Sequence, residues 1–580
     1  MLPGEAFQYL IFLAYFEKRV GRIKKMQLPI IAALFLSFLA LGYFKYGKWV
    51  ATQFGLNPTA KTPAHLYEDG KDYVPTNPFY LFAQHFSAIA AAGPIAGPIV
   101  ACQQFGWLPS LLWIALGVVF IGAVHDFSSL TCSVKHHAHS IADITREQLG
   151  TWAGKAMMIF IWIALIYIIV AFADITAASF VSSPEELAGG ALTDFHHGGA
   201  VAWAAIAYLM LSVLLGIMER YLKTPLWLNT LIFVPATFGV CWAGTYFSEW
   251  FLFSQLHWSL IICAYCAIAS LIPVWLLLQP RGYLGGYVLY SVLILGVIGL
   301  FFSGKSIQQP MMTGFHFDKM TGSLFPFLFV TIACGACSGF HGLVCSGTTS
   351  KQISSEKHLH PVGYGAMLAE GFVALISLSI IMMMTPDEVQ GLRPGTIYGR
   401  GIGEFLTLII GKEYFPFAVT FGAMAFSTFV FDTLDVSTRL GRYLVEELTG
   451  LKGIQGAMLG TFLTIMPATL ILMNTDSGMW TQFWTLFGAA NQLLAALTLL
   501  VISAWLHQNG KRLAFTLIPM LFVLLTTLVA LIQITRSNLE KTSGLDFSLM
   551  NSVMSIFLIL LALFLVGTAA KKIILKGNNF

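Results

Sequence analysis

Charge is scarce in this chain. Only 10% of its 580 residues are Asp, Glu, Lys or Arg, and 57% are hydrophobic. A soluble domain carries about 25% charged residues. So little charge does not cover a water-wetted surface, and a soluble globular protein is excluded. A long hydrophilic domain is also missing, since the longest polar stretches are 45–78 and 385–414. That leaves no room within these residues for a cytoplasmic output module. No Walker motif occurs, so ATP drive would need a partner. No basic cluster is interleaved with aromatics, which leaves nucleic-acid binding without support. The eight cysteines are scattered through apolar segments and do not form a disulfide framework.

Long apolar runs are what the chain has. A bilayer core takes about 20 apolar residues per helical span. Runs of that kind lie at 28–44, 79–104, 107–131, 152–177, 200–218, 225–247, 257–279, 284–303, 324–348, 362–384, 415–434, 455–474, 479–506, 513–534 and 548–570. Short alternating segments, the mark of a β-barrel, are not the pattern here. The expected fold is an all-α polytopic membrane protein with about fifteen transmembrane helices. Residues 1–28 read as a membrane-associated extension, and 29–580 as one transmembrane domain. Within the extension, residues 5–17 are apolar and are followed by Lys18, Arg19, Arg22, Lys24 and Lys25. That pattern fits a short interfacial helix, or a chain whose natural start is Met26.

Basic residues fall mainly in one alternate set of loops, which includes Lys135, Arg146, Arg220, Lys351 and Lys511. The opposite set carries Glu185, Glu186, Asp194, Asp387 and Glu388. By the positive-inside rule the first set and the C-terminus are cytoplasmic.

Two apolar segments are built to break. "HFSAIAAAGPIAGP" (His85 to Pro98) holds two Gly-Pro steps, and "FLFVTIACGACSGFHGLVCSGTTSK" (Phe327 to Lys351) is rich in glycine and small residues. The second lies seven spans after the first, and that odd offset makes them run in opposite directions. Paired interrupted segments in inverted halves mark the binding site of a secondary transporter. Unwound backbone is tolerated in a membrane only where it is buried in protein or lines a cavity. Close packing of helices through small residues is the alternative. The first break is expected near Ala92–Pro94. Candidate substrate contacts are His85, Ser87, Ala92, Gly93, Pro94 and Gly97 on the first segment. On the second they are Cys334, Gly335, Ser338, Gly339 and His341.

These motifs are similar to one family. "DGKDYVPTNPFYLFAQHFSAIAAAGPIAGPIVA", "GAVHDF", "TIACGACSGFHGLVCSGTTSKQ", "LDVSTRLGRY" and "LFGAANQLLAALTL" occur in order between Asp69 and Leu499, and the resemblance they carry runs from about residue 57 to residue 500. Together they resemble the carbon starvation protein A (CstA) family. The resemblance implies secondary uptake of pyruvate or short peptides across the inner membrane, coupled to protons. It also implies an inverted-repeat core like that of the amino-acid–polyamine–cation superfamily, here spanning 79–506. The region after residue 500 is less recognisable.

Several polar residues stand inside apolar runs. His85 and His341 are able to bind a carboxylate or relay a proton, histidine's ordinary pKa being about 6.5; the bland reading is a histidine bonded to a carbonyl. Asp126 is a gating or coupling candidate, or a surface acid paired with Lys135. Glu370 is a candidate proton carrier, or a buried acid that fixes packing. Asp174 is placed to guard the outer mouth or to sit at the surface. The resemblance makes Ser427 and Thr428, with carbonyls near Ala90–Gly93, a possible sodium site; bonding within their own helix is the alternative. Asp432 belongs to the same gating group. Asp435 and Arg439 have the spacing of a helical ion pair. Lys351 is an anion contact or a topology charge. Asn491 and Gln492 either join helices or touch substrate.

Cys334, Cys337, His341 and Cys345 share one face, but four ligands on one straight helix do not close a tetrahedron. The run "KHHAH" (Lys135 to His139) reads as a solvated loop. No cofactor and no metal are expected. The leading reading is alternating-access uptake with H+ or Na+ as the coupling ion. Its rivals are a sodium-coupled carboxylate or amino-acid transporter and a membrane metabolite sensor. An intramembrane enzyme lacks a convincing nucleophile and base.

Overall fold

In an apolar surround the backbone has no water to bond, so each long hydrophobic run closes its own N–H···O=C ladder as a helix. The computed structural model describes residues 28–70, 72–181, 196–313, 323–474, 480–542 and 547–577. Among these, regular structure is helical apart from one isolated bridge, Thr76 to Ile353. The expected extension up to residue 27, and Glu185, Glu186 and Asp194, lie outside the described residues.

Among the described residues, 12 helices are long and apolar enough to cross a bilayer, or 13 when the bent pair Pro78–Ile89 and Gly93–Phe105 is one span. That measure does not confirm the expected count of about fifteen. Two segments make the difference. The run at 324–348 is two short helices, Leu324–Thr331 and Gly339–Gly347. The run at 257–279 is a 17-residue helix, Gln255–Leu271. Pro273 ends it, because the residue before a proline is pushed out of the helical region; Ile272 is extended.

The first break is set by local chemistry. Asn77 caps the helix Pro78–Ile89, its side-chain oxygen accepting the Phe79 N–H at 2.9 Å. Ala90 leaves the helical region at φ −75°, ψ 51°. The chain turns by 44° and resumes at Gly93. Pro94 then sits in the first turn, where a missing N–H costs nothing. The unwound residues are therefore Ala90–Ala92, slightly before the expected Ala92–Pro94. The second break covers 332–338.

The two breaks touch. A methyl group on Gly93 would lie 2.4 Å from the Cys334 Cβ, and one on Gly335 would lie 3.4 Å from the Pro94 Cα. A methyl on Gly97 would meet the Thr331 carbonyl oxygen at 2.9 Å. Only the absence of a side chain at Gly93 lets the segments cross this closely.

Three π-turns lie together at Gly42–Gly47, Val118–Gly122 and His360–Gly365, and Gly122 of the second abuts the Ala336 carbonyl of the second break. They meet one another: Tyr364 Oη donates to the Val119 carbonyl at 2.8 Å, and Gly42 packs on the Val119 side chain. One extra residue in a helix rotates the next stretch by about 100°. Two of these turns lead directly into the helices Ala123–Lys135 and Ala366–Met382, which carry Asp126 and Glu370.

Both ends of the crossing are fastened. On the side of Lys351, Val74 N–H donates to the Lys351 carbonyl and Thr76 N–H to the Gln352 carbonyl. Lys135 pairs with Glu356 at 2.6 Å, and the Asn57 N–H donates to the same carboxylate at 2.6 Å. Lys511 Nζ donates to the Phe54 carbonyl; burial, and then Lys135, pull its pKa below the usual lysine range. On the other side, Gln308 N–H donates to the Met382 carbonyl at 2.7 Å, and Thr313 Oγ1 to the Gln104 carbonyl at 2.6 Å.

Gly93→Ala overpacks the crossing and is expected to cost about 1–3 kcal/mol. The thermal midpoint in detergent should fall, and adding Cys334→Gly should restore most of it. An unchanged midpoint for the single variant would show that the breaks do not press on each other.

Candidate functional site

Unwinding 332–338 frees backbone groups, and neighbouring side chains meet them one by one. Trp113 Nε1 donates to the Ile332 carbonyl at 3.1 Å and Trp484 Nε1 to the Thr331 carbonyl at 3.0 Å. Gln492 Nε2 donates to the Phe329 carbonyl at 2.8 Å. Asn491 Oδ1 accepts the Phe340 N–H at 2.9 Å, and its Nδ2 donates to Ser338 Oγ at 3.0 Å and to Cys334 Sγ at 3.3 Å. Asn491 and Gln492 thus hold the break itself. Gly339, at the start of the next half-helix, packs directly against the Asn491 carbonyl.

A cluster of acids and imidazoles stands one turn beyond the break. Asp126 is fully buried between two histidines: Oδ1 lies 2.7 Å from His125 Nδ1 and Oδ2 lies 2.9 Å from His341 Nδ1. The other nitrogen of His341 is 3.3 Å from Glu370 Oε2. That separation brings the charges together, but its angle makes no hydrogen bond. Both Glu370 oxygens therefore lack a hydrogen-bond partner among the described residues, as does His125 Nε2. His85 joins from the first broken segment. Its Nδ1 is 2.8 Å from Thr349 Oγ1 and its Nε2 is 3.9 Å from Cys345 Sγ, which itself donates to the Asp126 carbonyl at 3.5 Å.

Proton counting defines what this arrangement can do. A carboxylate accepts only, so both histidines present N–H to Asp126. His341 then faces Glu370 with its second nitrogen. Either that nitrogen also carries a proton and meets a Glu370 carboxylate, or it is bare and Glu370 carries the proton. The two groups stand 3.3 Å apart with no hydrogen bond between them, beside the crossing of the two broken helices.

The other sequence candidates are distributed differently. Ser87 is partly exposed, two residues beyond His85 on the same helix. Ala92 is buried in the first break. Asp126 is not paired with Lys135, which is taken by Glu356. Ser427 Oγ donates to the Ala423 carbonyl at 3.0 Å and Thr428 Oγ1 to Met424 Sδ at 3.1 Å, so both hydroxyls are used within their own helix. Asp432 and Asp435 pair with Arg281, not with Arg439. Lys351 lies over the Tyr73 ring at 5.5 Å, near the surface. Asp174 accepts from Gln255 Nε2 at 2.7 Å. The histidines of the "KHHAH" loop go separate ways: His136 to the Cys132 carbonyl, His137 to Tyr67 and His139 to Glu147.

Sequence reasoning passed over His125, Trp113, Trp484 and Arg281. His125 adjoins Asp126 in an apolar span, which was a usable signal. The two indoles and Arg281 gave none, since tryptophan is common in membrane helices and a single arginine reads as a loop charge.

The family model for carbon starvation protein CstA matches residues 27–401 and 393–530. The chain belongs to this family. Among curated relatives, a peptide transporter CstA of Campylobacter jejuni is 31% identical over 85% of this chain and 78% of its own length. A pyruvate/proton symporter of Escherichia coli is 28% identical over 86% of this chain and 80% of its own. Among solved structures, a manganese transporter of Eremococcus coleocola is similar at 13% identity and a TM-score of 0.43, over 89% of this chain and 98% of that one. Every CstA-family motif quoted above lies within the matched residues.

Asn491→Ala removes the acceptor for the buried Phe340 N–H and is expected to destabilise by about 1–3 kcal/mol. Asn491→Asp keeps that acceptor and should lose less. Thermal unfolding in detergent compares them; equal losses would deny Asn491 its part in holding the break.

Proposed function

We propose that this chain is a secondary transporter that takes up a small carboxylate, pyruvate or a short peptide, across the cytoplasmic membrane together with a proton. The observation that carries this reading is the buried His341 held between Asp126 and Glu370, next to the crossing of the two breaks. A proton exchanged there changes the charge of a fully buried site, where charge is weakly screened. The half-helices beginning at Gly93 and Gly339 point their N-terminal dipoles inward and favour a substrate carboxylate. His85 and the bare nitrogen of His125 supply further polar contacts. In this scheme the inverted core spans 79–506, and the two halves rock about the crossing. Loops rich in Lys and Arg, and the C-terminus, face the cytoplasm. The relatives' names, peptide transporter and pyruvate/proton symporter, support both the transport reading and the two substrate classes.

The buried His341–Glu370 contact and the relative named a pyruvate/proton symporter support a proton as the coupling ion. Ser427 and Thr428 donate within their own helix, which leaves their oxygen lone pairs able to meet a cation, so sodium is the second reading that the gradients test.

The test is uptake of labelled pyruvate into liposomes under an imposed pH gradient or an imposed sodium gradient, with di- and tripeptides as competitors. Accumulation driven by the pH gradient alone is expected. Glu370→Gln should lower it by roughly ten- to hundredfold, the span of a typical coupling free energy, while substrate exchange continues. Accumulation that needs sodium would overturn proton coupling. Binding without accumulation under either gradient would turn the reading to a metabolite sensor.

A further inference from the structure

A second buried charge cluster is built on other elements. Asp432 and Asp435 stand one turn apart on the long helix Phe415–Thr449. Both are paired with one cation, Arg281 of the helix Leu278–Phe302: Asp432 with Nη2, and Asp435 Oδ2 with Nη1 at 2.5 Å. Tyr265 Oη donates to the same Asp435 oxygen at 2.8 Å and receives an Arg281 N–H at 3.1 Å. Tyr208 Oη donates to the Arg281 carbonyl at 2.8 Å. The groups facing Asp435 are thus Tyr265 and Cys266 from Gln255–Leu271, Arg281 and its partner Tyr208, and Asp432 and Arg439 on its own helix.

Arg439 makes no ion pair with either acid, although its charge reaches Asp435 from further along the same helix. Its Nη2 donates to the carbonyls of Ala269 at 2.7 Å and Ile272 at 2.8 Å, at the negative end of the helix Gln255–Leu271. The cluster therefore holds two carboxylates against one guanidinium, which does not give up its proton. Arg281 and Asp435 are each about 1% exposed. Asp435 Oδ1 is buried with no hydrogen-bond partner among the described residues. A naked anionic oxygen in a dry interior is the costliest state such an atom can take.

We propose that Asp432 and Asp435 share one bound proton, making this cluster a proton-binding site distinct from the His341–Glu370 pair. The proton comes from water and forms one O–H bond on the carboxylate pair, taking the cluster from a net charge of −1 to neutral. Only one carboxylate then remains for Arg281. The protonation state sets how firmly Arg281 ties the helix Leu278–Phe302 to the helix Phe415–Thr449. Because the two acids interact, the proton belongs to the pair and not to either residue alone.

The test reads the proton directly, with no substrate and no gradient, so it stands or falls apart from the transport reading. Protein in lipid bilayers is titrated with pH and followed by infrared difference spectroscopy at the C=O stretch of protonated carboxyl groups. One such band should be lost in Asp435→Asn. It should be lost equally in Asp432→Asn, since either change leaves a single carboxylate for Arg281. Glu370→Gln should keep it. If both Asn variants, each monodisperse and folded, keep every protonated-carboxyl band of the parent, the acids are ionised and the proposal falls.

Discussion

A backbone that leaves the helix inside an apolar slab must have its polar groups met by side chains, and the rest of this structure depends on that demand. The carbonyls of Phe329, Thr331 and Ile332 are each met by a different donor. Two of these donors, Gln492 and Trp484, lie on the helix Trp480–Gln508 with Asn491, so that helix must run alongside the break. The contact is close enough that a side chain at Gly488 would strike the Val330 carbonyl. Trp113 brings in the helix Trp107–Gly117, whose continuation through a π-turn delivers His125 and Asp126. Satisfying the break and placing the acids are one piece of architecture.

Two solutions to buried negative charge coexist. Around Asp126 the partners are imidazoles, which can lose their charge near neutral pH. Around Asp432 and Asp435 the partner is a guanidinium, which cannot. The first group is the one on which the proposed proton coupling rests. In the second the cation is fixed, and only the number of anions it faces can change. Arg439 and Arg442 reinforce that end by binding the last carbonyls of the helix Gln255–Leu271, where Ala269, Ser270 and Ile272 would otherwise be left open.

Much of this was legible in the sequence because it is local. Apolar runs give the helices, and Gly-Pro steps mark the first break to within about two residues. His85, Asp126, His341 and Glu370 stand out as polar residues in apolar runs, and all four are buried. Partnership was not legible. Spacing offers Asp435 to Arg439, four residues on, yet the pair formed is with Arg281, far away in the chain. Spacing says which groups share a helix face; packing decides which of several nearby charges arrives. Asn491 and Gln492 are ambiguous for the same reason, since an amide in an apolar run announces only that it needs a partner. The helix at 255–271 reads too long in the sequence because hydropathy continues past Pro273 while the helical backbone does not.

The fastening near Lys351 joins the stretch that leads into the first broken segment with the stretch that leaves the second. Ser354 Oγ donates to the Thr76 carbonyl, Ser355 Oγ to the Pro58 carbonyl, and Glu356 takes both the Asn57 N–H and Lys135. Neither stretch can move without stripping the other of hydrogen bonds. That face therefore unlocks as a unit or stays shut. Half-open forms, through which ions would slip down their gradient unaccompanied, bear the whole penalty of the broken bonds and gain no path for cargo. Resistance to opening by halves is thus written into the loops, far from His341 and Glu370.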